Sequence, residues 1–123
     1  MSEPLPTAAG LWNRDVPHDA RQALFGGAGI VRVWALTAAP MPPFTAVLGC
    51  ELEPSASVGP HLQEHFPELV LGISGQGHVT VNGVASAFGE GVVVQLAQGK
   101  ILSIANGSSQ EPLRYLIIKA QAG

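Results

Sequence analysis

The chain has 123 residues, of which 46% are hydrophobic and 12% charged, enough apolar material for one core, too short for two, and unlike a charge-rich disordered segment. Its six basic and nine acidic residues leave a formal charge of -3 with no cluster of Lys or Arg, which argues against a nucleic-acid partner. No run approaches the roughly 20 apolar residues needed to span a bilayer, and Met1–Gly10 carries Glu3, Pro4 and Pro6 in place of a basic stretch followed by an apolar one. The expectation is no membrane association and a cytoplasmic location.

In chain order, residues 1–28 read as an N-terminal arm containing one short helix over Asp15–Phe25, with Pro17 near its start and Gly26-Gly27 past its end. His18 reads as a surface or capping residue. The tract Gly26-Gly27-Ala28-Gly29 reads as a turn or bulge, because a phosphate cradle needs a following helix and a β pattern follows instead. From residue 29 to 123 the pattern is all-β. Ile30–Leu36 is rich in branched and aromatic residues, and Thr45–Leu52 puts Ala46, Leu48, Cys50 and Leu52 on one face. Cys50 is the only cysteine, so it forms no intrachain disulfide and reads as a buried, inert thiol suited to a reducing compartment. Met41-Pro42-Pro43-Phe44 is stiff and apolar, and is expected to cover a sheet edge or an oligomer contact.

Leu69–Ile73 follows, broken by Gly75-Gln76-Gly77, and the pattern resumes in His78–Val81, where His78 alternates with Val79 and reads as solvent-facing. Asn82-Gly83 then predicts a tight hairpin, since both central residues of the favoured two-residue loop need positive φ. Val92–Leu96, Ile101–Ala105 and Arg114–Ala120 complete seven or eight strands, spaced as in a sandwich or barrel.

Chemistry concentrates in Gly59-Pro60-His61-Leu62-Gln63-Glu64-His65-Phe66-Pro67-Glu68. On an extended segment residues 61, 63 and 65 face one way, and Pro67, which cannot donate to a ladder, lets Glu68 turn inward at the start of the next strand. Imidazole, amide oxygen and carboxylate on one concave face would suit a divalent ion such as zinc, manganese, iron or nickel. Cys50 lacks an identified histidine and acid partner, and no nucleophile-elbow pattern surrounds Ser55, Ser57 or Ser74.

The segment resembles the first motif of the cupin family: a glycine, a His-x-His pair, a glutamate and a further glycine. Here these become Gly59, His61-x-Gln63, Glu68 and Gly75. The second motif has its counterpart in Gly91, Ala97-x-Gly99, Leu102 and Asn106. The resemblance spans roughly residues 30 to 120 and implies a double-stranded β-helix, a jelly-roll barrel open at one end, often a homodimer. It also implies four metal-ligand positions, here occupied by His61, Gln63, Glu68 and Leu102. Leucine removes one donor, and an amide is a weaker donor than imidazole for transition metals. His65 is a substitute ligand only if the gap before Glu68 lets it swing inward.

Three functions follow as alternatives. The first is a small-molecule enzyme or sensor with a degraded metal centre on His61, Gln63 and Glu68, in which Leu102 lines and narrows the cavity. The second is a metal-free binding module using the same cavity as an apolar pocket with a few polar groups. A structural protein with an empty cavity is the third. The fold alone does not choose among them.

Overall fold

The computed structural model describes residues 11–37 and 39–121. Among these, ten strands form two antiparallel sheets. They are β1 (Asp19–Gln22), β2 (Ile30–Ala35), β3 (Phe44–Leu52), β4 (Ser57–Leu62), β5 (Glu68–Ser74), β6 (Gln76–Val81), β7 (Val84–Gly89), β8 (Val93–Leu96), β9 (Ile101–Asn106) and β10 (Leu113–Ala120). The larger sheet runs β1-β2-β3-β10-β5-β8 and the smaller β4-β9-β6-β7. The chain is all-β, as its alternating pattern requires.

The core lies between the sheets. Cys50, Leu52, Val70, Leu113 and Tyr115 come from the larger, and Val58, Val79, Phe88, Leu102 and Ile104 from the smaller. Period-two alternation explains the selection: Leu113, Tyr115 and Ile117 reach the core side of β10. Leu48, Cys50 and Leu52 do the same on β3, as the sequence predicts.

The Asn82-Gly83 hairpin forms as expected. Val81 pairs with Val84 across a two-residue turn, with φ of 49° at Asn82 and 80° at Gly83. Asn82 also ties the turn to the neighbouring strand, its Oδ1 accepting from the Ile101 N–H at 2.8 Å. Asn106, at the end of the second motif, is buried and structural. Its amide nitrogen donates to the carbonyls of Leu52, Glu53 and Glu111, and its oxygen accepts from Ser108. His78 is exposed, again as read from its alternation.

The N-terminal region departs from expectation. Residues 1–10 of the expected arm lie outside the described residues. Asp15–Phe25 is not a helix: it contains β1, paired with β2, followed by a short 3-10 turn at Leu24–Gly26. The Pro and Gly brackets were compatible with a helix, but β1 is exposed throughout and offers no apolar stripe to bury. The open edge of β2 supplies its backbone with partners instead. His18 is less peripheral than its sequence suggests, stacking on Trp34 at 4.6 Å between ring centroids. No helix among the described residues is long and apolar enough to cross a membrane.

Candidate functional site

A cavity of about 610 Å³ opens between the sheets, lined by residues of the His61–Glu68 segment, by Leu102 and by inward side chains of β2, β3 and β10. His61 lies near the end of β4, directly across from Leu102 on β9. Opposed residues of an antiparallel pair project to the same side, so both reach the cavity. β4 is an edge strand, which tolerates Pro60, and the register shifts between Val58 and His61. Beyond Leu62 the chain leaves the strand, yet it stays bound to the second motif. The Gln63 N–H donates to the Lys100 carbonyl at 2.9 Å, and the Gly99 N–H to the Gln63 carbonyl at 2.8 Å.

The imidazole of His61 is held on two sides. Its Nδ1 lies 3.1 Å from the Gly59 carbonyl; a carbonyl only accepts, so Nδ1 carries the proton and the neutral ring keeps its lone pair on Nε2. Phe25 stacks on the ring at 4.3 Å, with 12° between planes. Gln63 is buried, and its side-chain amide makes no hydrogen bond to any described residue. Glu68 opens β5 and is buried, with Lys119 Nζ 4.0 Å from Oε2. Burial pushes the Glu68 carboxyl above its ordinary pKa, and Lys119 offsets part of that shift.

His65 does not join this group. Its side chain is 77% exposed at the rim of the cavity, with Nε2 3.6 Å from Glu64. The strand ends at Leu62, so the parity that would turn residue 65 inward is lost. Deeper in, Tyr115 on β10 pairs with Cys50 on β3, and both are buried. Burial pushes the Cys50 thiol up to about 12, which leaves it protonated and unreactive at neutral pH.

No family model and no curated protein matches the sequence. Solved structures do. A predicted oxalate decarboxylase from Thermotoga maritima superposes with a TM-score of 0.79 at 22% identity, over 88% of this chain and 95% of that one. The cupin domain of Schizosaccharomyces pombe Cnp3 gives 0.69 at 20% identity, over 85% and 69%. A cupin 2 conserved barrel domain protein from Salinispora arenicola gives 0.65 at 23%, over 75% and 76%. The chain has the cupin fold.

The four ligand positions implied by the cupin resemblance can now be tested against the residues that fill them. His61 offers a free Nε2 and Gln63 an amide oxygen. The fourth position, Leu102, is fully buried; burying a leucine side chain contributes about 2 kcal/mol of stability, so this position supports the barrel and gives no donor. Glu68, the only anionic donor of the four, already faces the Lys119 ammonium, and a divalent ion there would meet that charge as well. Among the described residues no group of three or more His, Cys, Asp or Glu could hold a metal ion. This donor set does not fit a divalent metal.

Among the cavity residues that the sequence reading did not place there, two stand against its polar groups: Lys119 beside Glu68 and Phe25 on His61. Lys119 continues the period-two face of Leu113, Tyr115 and Ile117, so its inward direction was available from alternation. Phe25 gave no such signal. It reaches His61 because the 25–29 segment lies against β4 backbone to backbone: a Cβ on Gly27 would stand 2.1 Å from the Ser57 oxygen, and one on Gly59 1.9 Å from the Phe25 oxygen. The glycine tract is therefore a site of close approach.

Proposed function

We propose that the protein is a metal-free cupin that binds a small organic molecule between its sheets. His61, Gln63, Glu68 and Lys119 form the polar wall that orients the ligand, and apolar residues including Leu102 and Val58 form the rest. The observation that carries this reading is what surrounds the donor set: Leu102, which offers no donor, lies opposite His61, and the Lys119 ammonium lies beside Glu68. Both give the site features of an organic pocket in place of metal-binding capacity, namely apolar surface and a cation. Within this reading the protein is a cytoplasmic homodimer, the buried thiol of Cys50 being suited to a reducing compartment.

The wall also has the groups for proton transfer. His61 Nε2 is a base with its lone pair free, and Glu68 is a carboxyl that burial favours in its protonated form.

The test is elemental analysis of protein purified without chelator or tag-derived metal, with calorimetric titration of zinc, manganese, iron(II) and nickel. Wild type is expected to carry no metal and to bind none at millimolar concentration, whereas Leu102→His, which adds an imidazole opposite His61, gains measurable zinc binding. In a thermal-shift panel of small organic acids, amines and neutral molecules, at least one compound should raise Tm, and Leu102→Trp, which fills the cavity, should abolish that shift. Stoichiometric metal in wild type would overturn the reading in favour of a centre on His61, Gln63 and Glu68.

A further inference from the structure

Phe25 occupies a position that ordinary packing does not explain. Its side chain is 55% exposed, so it is not held by core burial. Its backbone is in the left-handed region at φ 52°, as is that of Ala23 at φ 51°, a conformation that side-chain-bearing residues rarely adopt and that persists only where the surroundings enforce it.

The surroundings here do so. The Gly26 N–H donates to Ala23 and the Gly27 N–H to Leu24, both at 3.0 Å, and the Ala23 N–H donates to Gly29 at 2.9 Å. The turn is also fastened to β4: the Ser57 N–H donates to the Ala28 carbonyl at 2.7 Å, and the Ala28 N–H to Ser57 Oγ at 3.0 Å. A strained turn bolted to the strand that carries His61 delivers one aromatic ring onto one imidazole.

We propose that Phe25 is a positioning residue for His61. Its ring fixes the imidazole plane so that Nδ1–H stays on the Gly59 carbonyl and Nε2 presents the lone pair to the ligand. The inference rests on the reading of His61 as a ligand-facing group in the cavity. Two contacts are needed because the Gly59 hydrogen bond restrains one atom and leaves the ring free to tilt about it, while the stack of 4.3 Å and 12° removes that tilt. The free histidine side chain prefers its proton on Nε2, so the opposite tautomer at His61 requires a continuing restraint.

Nitrogen-15 NMR of the imidazoles at pH 8 tests this without any ligand, so its result is independent of whether the cavity binds one. Wild type is expected to show His61 as a single Nδ1–H tautomer, with Nε2 unprotonated. Phe25→Leu, which keeps apolar bulk and loses the planar stack, should shift His61 to a mixture rich in the Nε2–H form; Phe25→Tyr should restore the wild-type pattern. Phe25→Ala should behave as Phe25→Leu, and the Leu/Tyr pair decides the matter if the alanine variant does not fold. A single Nδ1–H tautomer in Phe25→Leu would overturn the proposal by showing that Gly59 suffices alone. So would an Nε2–H tautomer in wild type.

Discussion

Glu51 and Glu68 belong to the same six-stranded sheet, each with a side chain 2% exposed and each directly opposite a cation on β10: Arg114 for Glu51, Lys119 for Glu68. Glu51 is on the outer face, where both oxygens are taken. Oε1 accepts from Arg14 at 3.0 Å and Oε2 from Arg114 at 2.9 Å, and Trp12 backs the Arg114 guanidinium at 5.6 Å. Glu68 is on the inner face, where Lys119 stands 4.0 Å away and no described residue hydrogen-bonds the carboxylate. A forked guanidinium can satisfy a buried carboxylate by direct bonds, and a single distant ammonium leaves its oxygens open. The first arrangement is finished by the fold. The second leaves a carboxylate on the cavity wall without a hydrogen bond from any described residue.

That difference predicts the largest effect for the outer pair. Glu51→Ala should destabilise the protein by about 2–3 kcal/mol, below the 3–5 kcal/mol typical of breaking a fully buried pair, because Arg14 and Arg114 still reach solvent. Urea unfolding at pH 7 measures it as a fall in midpoint at unchanged slope. A loss under about 0.5 kcal/mol, the range of ordinary surface changes, would erase the distinction between the two glutamates.

The contrast also marks how far the sequence could be read. Alternation in Thr45–Leu52 and the Asn82-Gly83 turn were legible because each depends on local backbone geometry, whereas the gathering of His61, Gln63, Glu68 and Leu102 around one cavity was implied only by the cupin resemblance. What stayed hidden depended on contacts distant along the chain. Glu51 lies between apolar neighbours on β3, and its burial depends on Arg14, 37 positions earlier, and Arg114, 63 positions later. Phe25 meets His61 only through the apposed glycines of two segments. The expected helix over Asp15–Phe25 failed because its end signals were compatible with a strand, and the edge of β2 was invisible to local pattern.

At the inner site the substitution should be close to neutral. Glu68→Gln keeps the shape, removes an incompletely satisfied charge, and should change stability by no more than about 1 kcal/mol at pH 7, with stabilisation the expected sign. Its pH dependence has a definite direction. Burial raises the carboxyl above its ordinary value of 4.5, so the native state holds this proton more tightly than the unfolded chain does. The resulting stability is complete below about 4.5 and is lost as pH rises through the elevated native value. Wild type should therefore lose stability relative to Glu68→Gln between pH 4 and pH 8. A parallel pair of curves would mean that Glu68 is not desolvated in solution.

The smallest effect is expected from Lys119, and it is the one that separates geometry from charge. If proximity of opposite charges were what stabilised these cross-strand pairs, the two β10 cations would couple to their glutamates similarly. Distance and hydrogen bonding argue otherwise. Arg114 meets Glu51 at 2.9 Å through an N–H that points at the oxygen, whereas Lys119 stands 4.0 Å from Glu68; the two cations are equally exposed to solvent, so the difference lies in distance and in the flexible lysine stem, which loses entropy if it is held. A double-mutant cycle of Glu68→Gln with Lys119→Met should thus give a coupling of no more than about 0.5 kcal/mol, against about 1–3 kcal/mol for Glu51→Gln with Arg114→Met. Both cycles are read from urea midpoints at pH 7. Equal couplings would show that Lys119 closes on Glu68 in solution, and the inner carboxylate would then be as fully satisfied as the outer one and no longer open to a ligand.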